Sequence, residues 1–161
     1  MAVFHPHTVK CICGQTLTVL LADSINVKRS PEAREKILRG ELHRTTCPAC
    51  KRQMTVEKPF YYTDLTRNAF FKVFPRGERH LWKQASADLD TASALVPDSV
   101  AVSKGRTLRV LFGMDELREK LVAQDANIDD RVLELMKVLL VHEHPVLLRR
   151  APQEPGRCLA P

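Results

Sequence analysis

The sequence predicts an α+β fold: an antiparallel β core with one inserted helix and a C-terminal helical pair. Three observations predict it. Two close cysteine pairs, Cys11-Ile12-Cys13 and Cys47-Pro48-Ala49-Cys50, each sit in a turn between stretches that read as strands. Between the pairs, Ser30-Pro31 opens a helical segment that closes at Gly40. Beyond residue 100, one short strand precedes two segments with apolar residues at helical spacing.

Taken in order, "TVKCICGQTLTVLL" (residues 8–21) predicts two short strands around the first cysteine turn. Ser30 can cap a helix, Pro31 suits its first position, and Glu32 and Glu35 complement its positive end. "TTCPACKRQMTVEK" returns to strand–turn–strand, and "PFYYTDLTRNAFFKVFP" predicts two more strands joined by "DLTRN". "RHLWKQA" reads as a further strand. "ASADLDTASALVPD", rich in small and polar residues, reads as a linker or mobile loop.

"TLRVLFG" is a strand ending at Gly113. Asp115 can cap the next helix, with Leu117 and Leu121 on its inner face. Asn127 or Asp129 can cap the last, whose Ile128, Val132, Leu135, Met136 and Leu139 form a stripe that predicts core packing on the sheet. "RRAPQEPGRCLAP" predicts a disordered tail with Cys158 as an exposed free thiol. The expected organisation is therefore 1–84 as the cysteine-bearing region, 85–99 as linker, 100–145 as strand plus helical hairpin, and 146–161 as tail.

Composition narrows the function classes. With 44% hydrophobic and 27% charged residues, the chain is neither disordered nor membrane-spanning in character. The opening "MAVFHPHTVK" lacks the basic and apolar regions of a secretory signal, so a reducing cytoplasm is expected and no membrane association. There, cysteine clusters are more often metal sites than disulfides. The net charge of +6 is uneven: residues 1–84 hold 15 Lys and Arg against 7 Asp and Glu, the remainder 10 against 12.

Zinc takes four ligands in a tetrahedron, and a short turn aims two thiolates at one point. Cys47-x-x-Cys50 has that knuckle spacing, with Pro48 stiffening the turn. Cys11-x-Cys13 is one residue tighter, and Gly14 can go left-handed, leaving N–H groups for the thiolates. Lys10, Lys51 and Arg52 offset a four-thiolate charge. The alternatives are a redox pair at Cys47 and Cys50, which lacks the helix start such a motif needs, buried thiols, and iron–sulfur ligation. His5, His7, His142 and His144 are read as surface residues. The expected metal site is thus one Zn2+ per chain on Cys11, Cys13, Cys47 and Cys50, in a zinc-ribbon-like core.

"SINV" (24–27), "PEAREKILRGEL", "CPAC" and "PFYYTD", in that order, resemble the CpXC domain family, named for its paired Cys-Pro-x-Cys motifs. "RVLFGMDELREKL" and "DDRVLELMK" resemble the C-terminal part of the same proteins, so the likeness spans roughly residues 8–140. It implies a zinc-binding domain of bacterial proteins, with Cys13, Cys47 and Cys50 at motif positions. The first pair lacks the motif's proline and one spacer, and Lys51 stands where a glycine is common.

The expected function is a non-catalytic interaction module, its β-rich domain rigidified by the four-cysteine zinc site and bound to another protein. The alternative is nucleic-acid binding through Lys28, Arg29, Arg34, Lys36, Arg39, Arg44, Lys51 and Arg52, with Tyr61, Tyr62, Phe70, Phe71 and Phe74 as stacking candidates. Alternation would bury about half of those rings. No nucleophile–base pairing or phosphate-cradling Gly-rich loop stands out, so an enzyme is not expected.

Overall fold

The computed structural model describes residues 2–94, 107–146 and 157–159, with 92–94 and 157–159 by backbone alone. In chain order the elements are β1 (Val3–Lys10), β2 (Thr16–Asn26), α1 (Pro31–Leu38), β3 (Arg44–Thr46), β4 (Gln53–Glu57), β5 (Phe60–Asp64) and β6 (Ala69–Phe74). A short 3-10 helix (Arg76–Leu81) leads into α2 (Trp82–Ala94), followed by β7 (Thr107–Phe112), α3 (Met114–Asp125), α4 (Asp130–Glu143) and β8 (Arg157–Leu159). The fold is α+β, as the sequence predicts. No helix among the described residues is long and apolar enough to cross a membrane.

Two sheets form. The larger has the order β1-β2-β5-β6-β7, and the smaller β3-β4-β8. Hairpin partners β1/β2, β5/β6 and β3/β4 pair antiparallel. The hairpins are joined through parallel β2–β5 pairing, and β7 adds parallel to β6. Those parallel edges need crossover connections, which α1 and α2 provide.

Alternation sorts the large sheet into two faces. Ala22, Phe60, Tyr62, Phe71, Val73 and Leu111 point inward and are covered by Ile37 of α1 and by Leu117 and Leu121 of α3. Tyr62 and Phe71 stack there with ring centroids 5.7 Å apart. Tyr61, Phe70 and Phe74 lie half-buried on the other face, so the strands bury about half of the aromatic set. Lys72 reaches over the Tyr61 and Phe74 rings at 5.2 and 4.9 Å. The β5–β6 turn closes on Asp64, whose Oδ1 accepts from Thr66 N–H at 3.0 Å and Arg67 N–H at 3.1 Å.

Several local expectations are corrected. "RHLWKQA" and the stretch expected to be a linker form the 3-10 turn and α2 up to Ala94; residues 95–106 lie outside the described ones. Alanine is a strong helix former whatever its polarity class, and Ala85 and Leu89, one turn apart, are buried. Arg157–Leu159, expected in a disordered tail, pairs parallel with β4, Cys158 opposite Val56. The Cys158 thiol and residues 147–156 lie outside the described residues.

Ser30 holds the N-cap position of α1, but its Oγ accepts from Ala2 N–H at 2.9 Å rather than capping the helix. Gly113, at φ +90°, takes the cap position before α3, while Asp115 pairs with Arg76 and Arg118. Asp129 does cap α4, accepting from Arg131 N–H at 2.8 Å. The largest departure is α4 itself. Its apolar stripe was expected to be core, yet no side chain of the helix is buried.

Candidate metal centre

Each cysteine pair sits at the tip of a hairpin, and hairpin geometry aims it. In the β1–β2 turn, Cys11 N–H donates to Gln15 O and Gly14 N–H to Cys11 O, both at 2.8 Å. Gly14 takes φ +91°, the left-handed conformation expected of it. In the β3–β4 turn, Cys47 N–H donates to Arg52 O and Lys51 N–H to Cys47 O, both at 2.9 Å. Lys51 adopts φ +59°. That explains why a glycine is common there: the turn needs a left-handed residue, and a Cβ makes that conformation costly.

The two turns bring all four Sγ atoms within 4.8 Å of one another. Cys11 Sγ lies 3.7 Å from Cys50 Sγ, and Cys13 Sγ 3.7 Å from Cys47 Sγ. A tetrahedron with metal–sulfur distances of ~2.3 Å has edges of ~3.8 Å, so the cluster fits a four-thiolate metal ion. The first cysteine of each pair, Cys11 and Cys47, is buried against Met54 and Leu17, while Cys13 and Cys50 face solvent. One apolar floor anchors two of the sulfurs, and the other two stand at the surface. The tight Cys11-x-Cys13 spacing contributes as fully as the longer pair.

The thiols do not share one acidity. Cys47 is pulled down to about 6, first by the Cys50 backbone N–H and further by that of Ala49, against the opposing effect of burial. Cys11 also receives a backbone N–H, from Cys13, but burial and three neighbouring thiols outweigh it and push it up to about 12. Of these two thiols, Cys47 gives up its proton the more readily, and negative charge gathered among the sulfurs needs a counter-charge. A bound cation supplies it.

Histidines stay out of the cluster. His5 pairs with Asp23, which also takes Lys58. His7 is half-buried and held below its ordinary pKa, first by burial and then by Lys58 and His5. His142 and His144 lie exposed at the end of α4. Among the described residues, the four cysteines are the group that can hold a metal.

The eight basic candidates divide. Arg34 is buried and bonds Asp125 Oδ1 at 2.7 Å, so it is a structural tie between α1 and α3 rather than a surface cation. Arg39 faces Glu41 at 3.5 Å, and Arg44 donates to Gln53. Lys28, Arg29, Lys36, Lys51 and Arg52 are exposed.

One positioning residue was invisible in the sequence. His43, at φ +59°, is buried between the sheets. Its Nε2 accepts from Ala22 N–H of β2 at 2.8 Å, and its carbonyl accepts from Val56 N–H of β4 at 2.9 Å. Val56 packs with Val9, Val19 and Leu21 across the same junction. His43 thus fastens the β3–β4 hairpin to β2 and so sets one cysteine turn against the other. Nothing in "ELHRTT" marks it, because the role depends on a tertiary contact.

The description "CpXC protein" belongs to a family model that matches residues 9–137. Neither a curated protein nor a solved structure gives a significant match. The matched span takes in both cysteine turns, the large sheet apart from residues 3–8 of β1, and α4 as far as Lys137. On that match, the chain belongs to the CpXC family.

Proposed function

We propose that the protein is a non-catalytic interaction module. One zinc ion per chain, held by Cys11, Cys13, Cys47 and Cys50, rigidifies the surface it offers to another protein. The observation that carries this reading is the convergence of four sulfurs at tetrahedral spacing from two separate hairpins. Zinc suits the set because thiolates select it and a fully closed tetrahedron is its structural rather than catalytic geometry. The ion closes the loop of residues 14–46 and holds a three-stranded sheet too small to stand alone. A reducing, cytoplasmic setting keeps the thiols available.

Withdrawal of Arg34 into an ion pair, and engagement of Arg39 and Arg44, thin the basic surface that nucleic-acid binding would use. The test is a titration of the metal-bound protein with single- and double-stranded DNA and with RNA at two salt concentrations. The protein-binding reading predicts weak association at every salt level, and a partner that co-purifies with the native chain but not with Cys47→Ser. Tight binding that falls steeply with salt would establish the nucleic-acid reading instead.

A further inference from the structure

Helix α4 leaves most of its apolar residues outside, with only Leu133 and Val141 half-buried. Charge accompanies them on the inner side: Lys120 of α3 reaches Asp130 at 2.6 Å and also Glu134, while Lys137 pairs with Glu119 and Glu134. Asp130 takes Arg109 of β7 as well. Outward, Val132, Leu135, Met136, Val138, Leu139 and Leu140 each leave half or more of their surface in solvent. Single exposed apolar residues need no explanation, but a contiguous face does. Ile128 and Val146, just beyond the two ends of the helix, are exposed as well, so eight large apolar side chains stand in solvent along this stretch.

The pattern says what fits it. Along α4, Val132, Leu135, Leu139 and His142 recur in steps of three, four and three, the seam of two helices packed side by side. The midpoint of that seam lies between Leu135 and Leu139. Arg131 and Glu143 stand at equal distances on either side of it, both exposed. A two-fold axis through the midpoint sets Leu135 of one chain against Leu139 of the other. It also brings each Arg131 to the partner's Glu143, and the symmetry does so twice. Antiparallel helices oppose their dipoles, the positive N-terminal end of each lying beside the negative C-terminal end of the other, whereas a parallel arrangement sets like ends side by side.

We propose that the outward faces of α4 pair antiparallel, joining two copies of this chain in a two-fold homodimer. The interface shares no residue with the cysteine site, so it stands whether or not the zinc reading holds.

Sedimentation of the full, metal-bound chain at micromolar concentration tests it. The expected mass is twice the 18.3 kDa of one chain. Leu135→Glu with Leu139→Glu should be monomeric, with the helical spectrum of the parent and a melting temperature that, unlike the parent's, does not vary with protein concentration. Should that variant fail to fold, charge reversal decides. Glu143→Arg alone should raise the dimer dissociation constant at least about fivefold. Adding Arg131→Glu should restore it to within about twofold of the parent. A monomeric parent, a dimer that survives the double glutamate change, or a double reversal that restores nothing would each overturn the proposal. So would capture of α4 by a different protein without self-association.

Discussion

Lys51 carries a strain that the turn imposes. At φ +59° its Cβ crowds the backbone, a cost of roughly 1–2 kcal/mol that glycine avoids at the expense of a freer unfolded chain. Lys51→Gly is therefore expected to leave the metal-bound protein as stable as before or to stabilise it by up to ~1 kcal/mol, read from denaturant midpoints. A loss of stability would mean that the lysine makes a compensating contact. His43 shows the opposite case, a residue fixed by its neighbours. An N–H donated to Nε2 forces the neutral imidazole with its proton on Nδ1, and burial holds the ring down to about 4. The unfolded ring titrates near 6.5, so between pH 6.5 and 4 the unfolded state binds more protons than the folded one. Acidification through that window removes stability, by at most about 3 kcal/mol, and raising the pH restores it. NMR titration of the His43 ring should stay flat until about pH 4; a midpoint near 6.5 would contradict the burial.

At the scale of elements, the contrast between α3 and α4 is the sharpest. Both carry apolar residues at helical spacing, yet Leu117 and Leu121 are fully buried while Leu135 and Leu139 are more than half exposed. Leu117→Ala or Leu121→Ala should cost about 2–5 kcal/mol through the cavity left behind. Leu135→Ala should cost no more than about 0.5 kcal/mol within one chain, measured at concentrations where the chain is monomeric. Equal costs for the two would show that α4 packs on its own sheet after all. Here the limit of the sequence is physical. Periodicity reveals that a helix has an apolar face, but not whether its own chain covers it. The strands within residues 8–21 and 60–74, the helix after Ser30 and both cysteine turns were legible because alternation, a proline start and paired thiols are local signals; the outer ends of β1 and β2, residues 3–7 and 22–26, were not. α2 was missed because "ASADLDTASA" is loop-like in polarity though helical in propensity. β8 was missed because three residues of "GRCLAP" gain order only by pairing with β4. His43 carried no local signal at all.

Across the whole molecule, the metal site and the main core are separate sources of order. Residues from α1, α3 and the large sheet form one cluster, while the cysteines, Met54 and Leu17 form another at the hairpin tips. Arg34 and Arg67 both bond Asp125, tying α1, the β5–β6 turn and α3 together away from the cysteines. Removing the metal, by chelation or by Cys47→Ser, should therefore release the small sheet first. Hydrogen exchange should show protection lost around residues 11–16 and 44–56 and retained around Leu117–Leu121 and the β5–β6 pair. Structural zinc contributes about 10–16 kcal/mol of apparent binding free energy near neutral pH in small peptides, comparable with the ~5–15 kcal/mol stability of a whole domain. Native protection throughout a metal-free protein would mean that the ion does not hold the fold. The measurement that reaches the central claim most directly is zinc-edge X-ray absorption on protein purified without added metal, with elemental analysis of the same sample. It should find one zinc per chain surrounded by four sulfurs at ~2.3 Å. A folded chain without zinc, or nitrogen or oxygen in place of one of the four sulfurs, would contradict it.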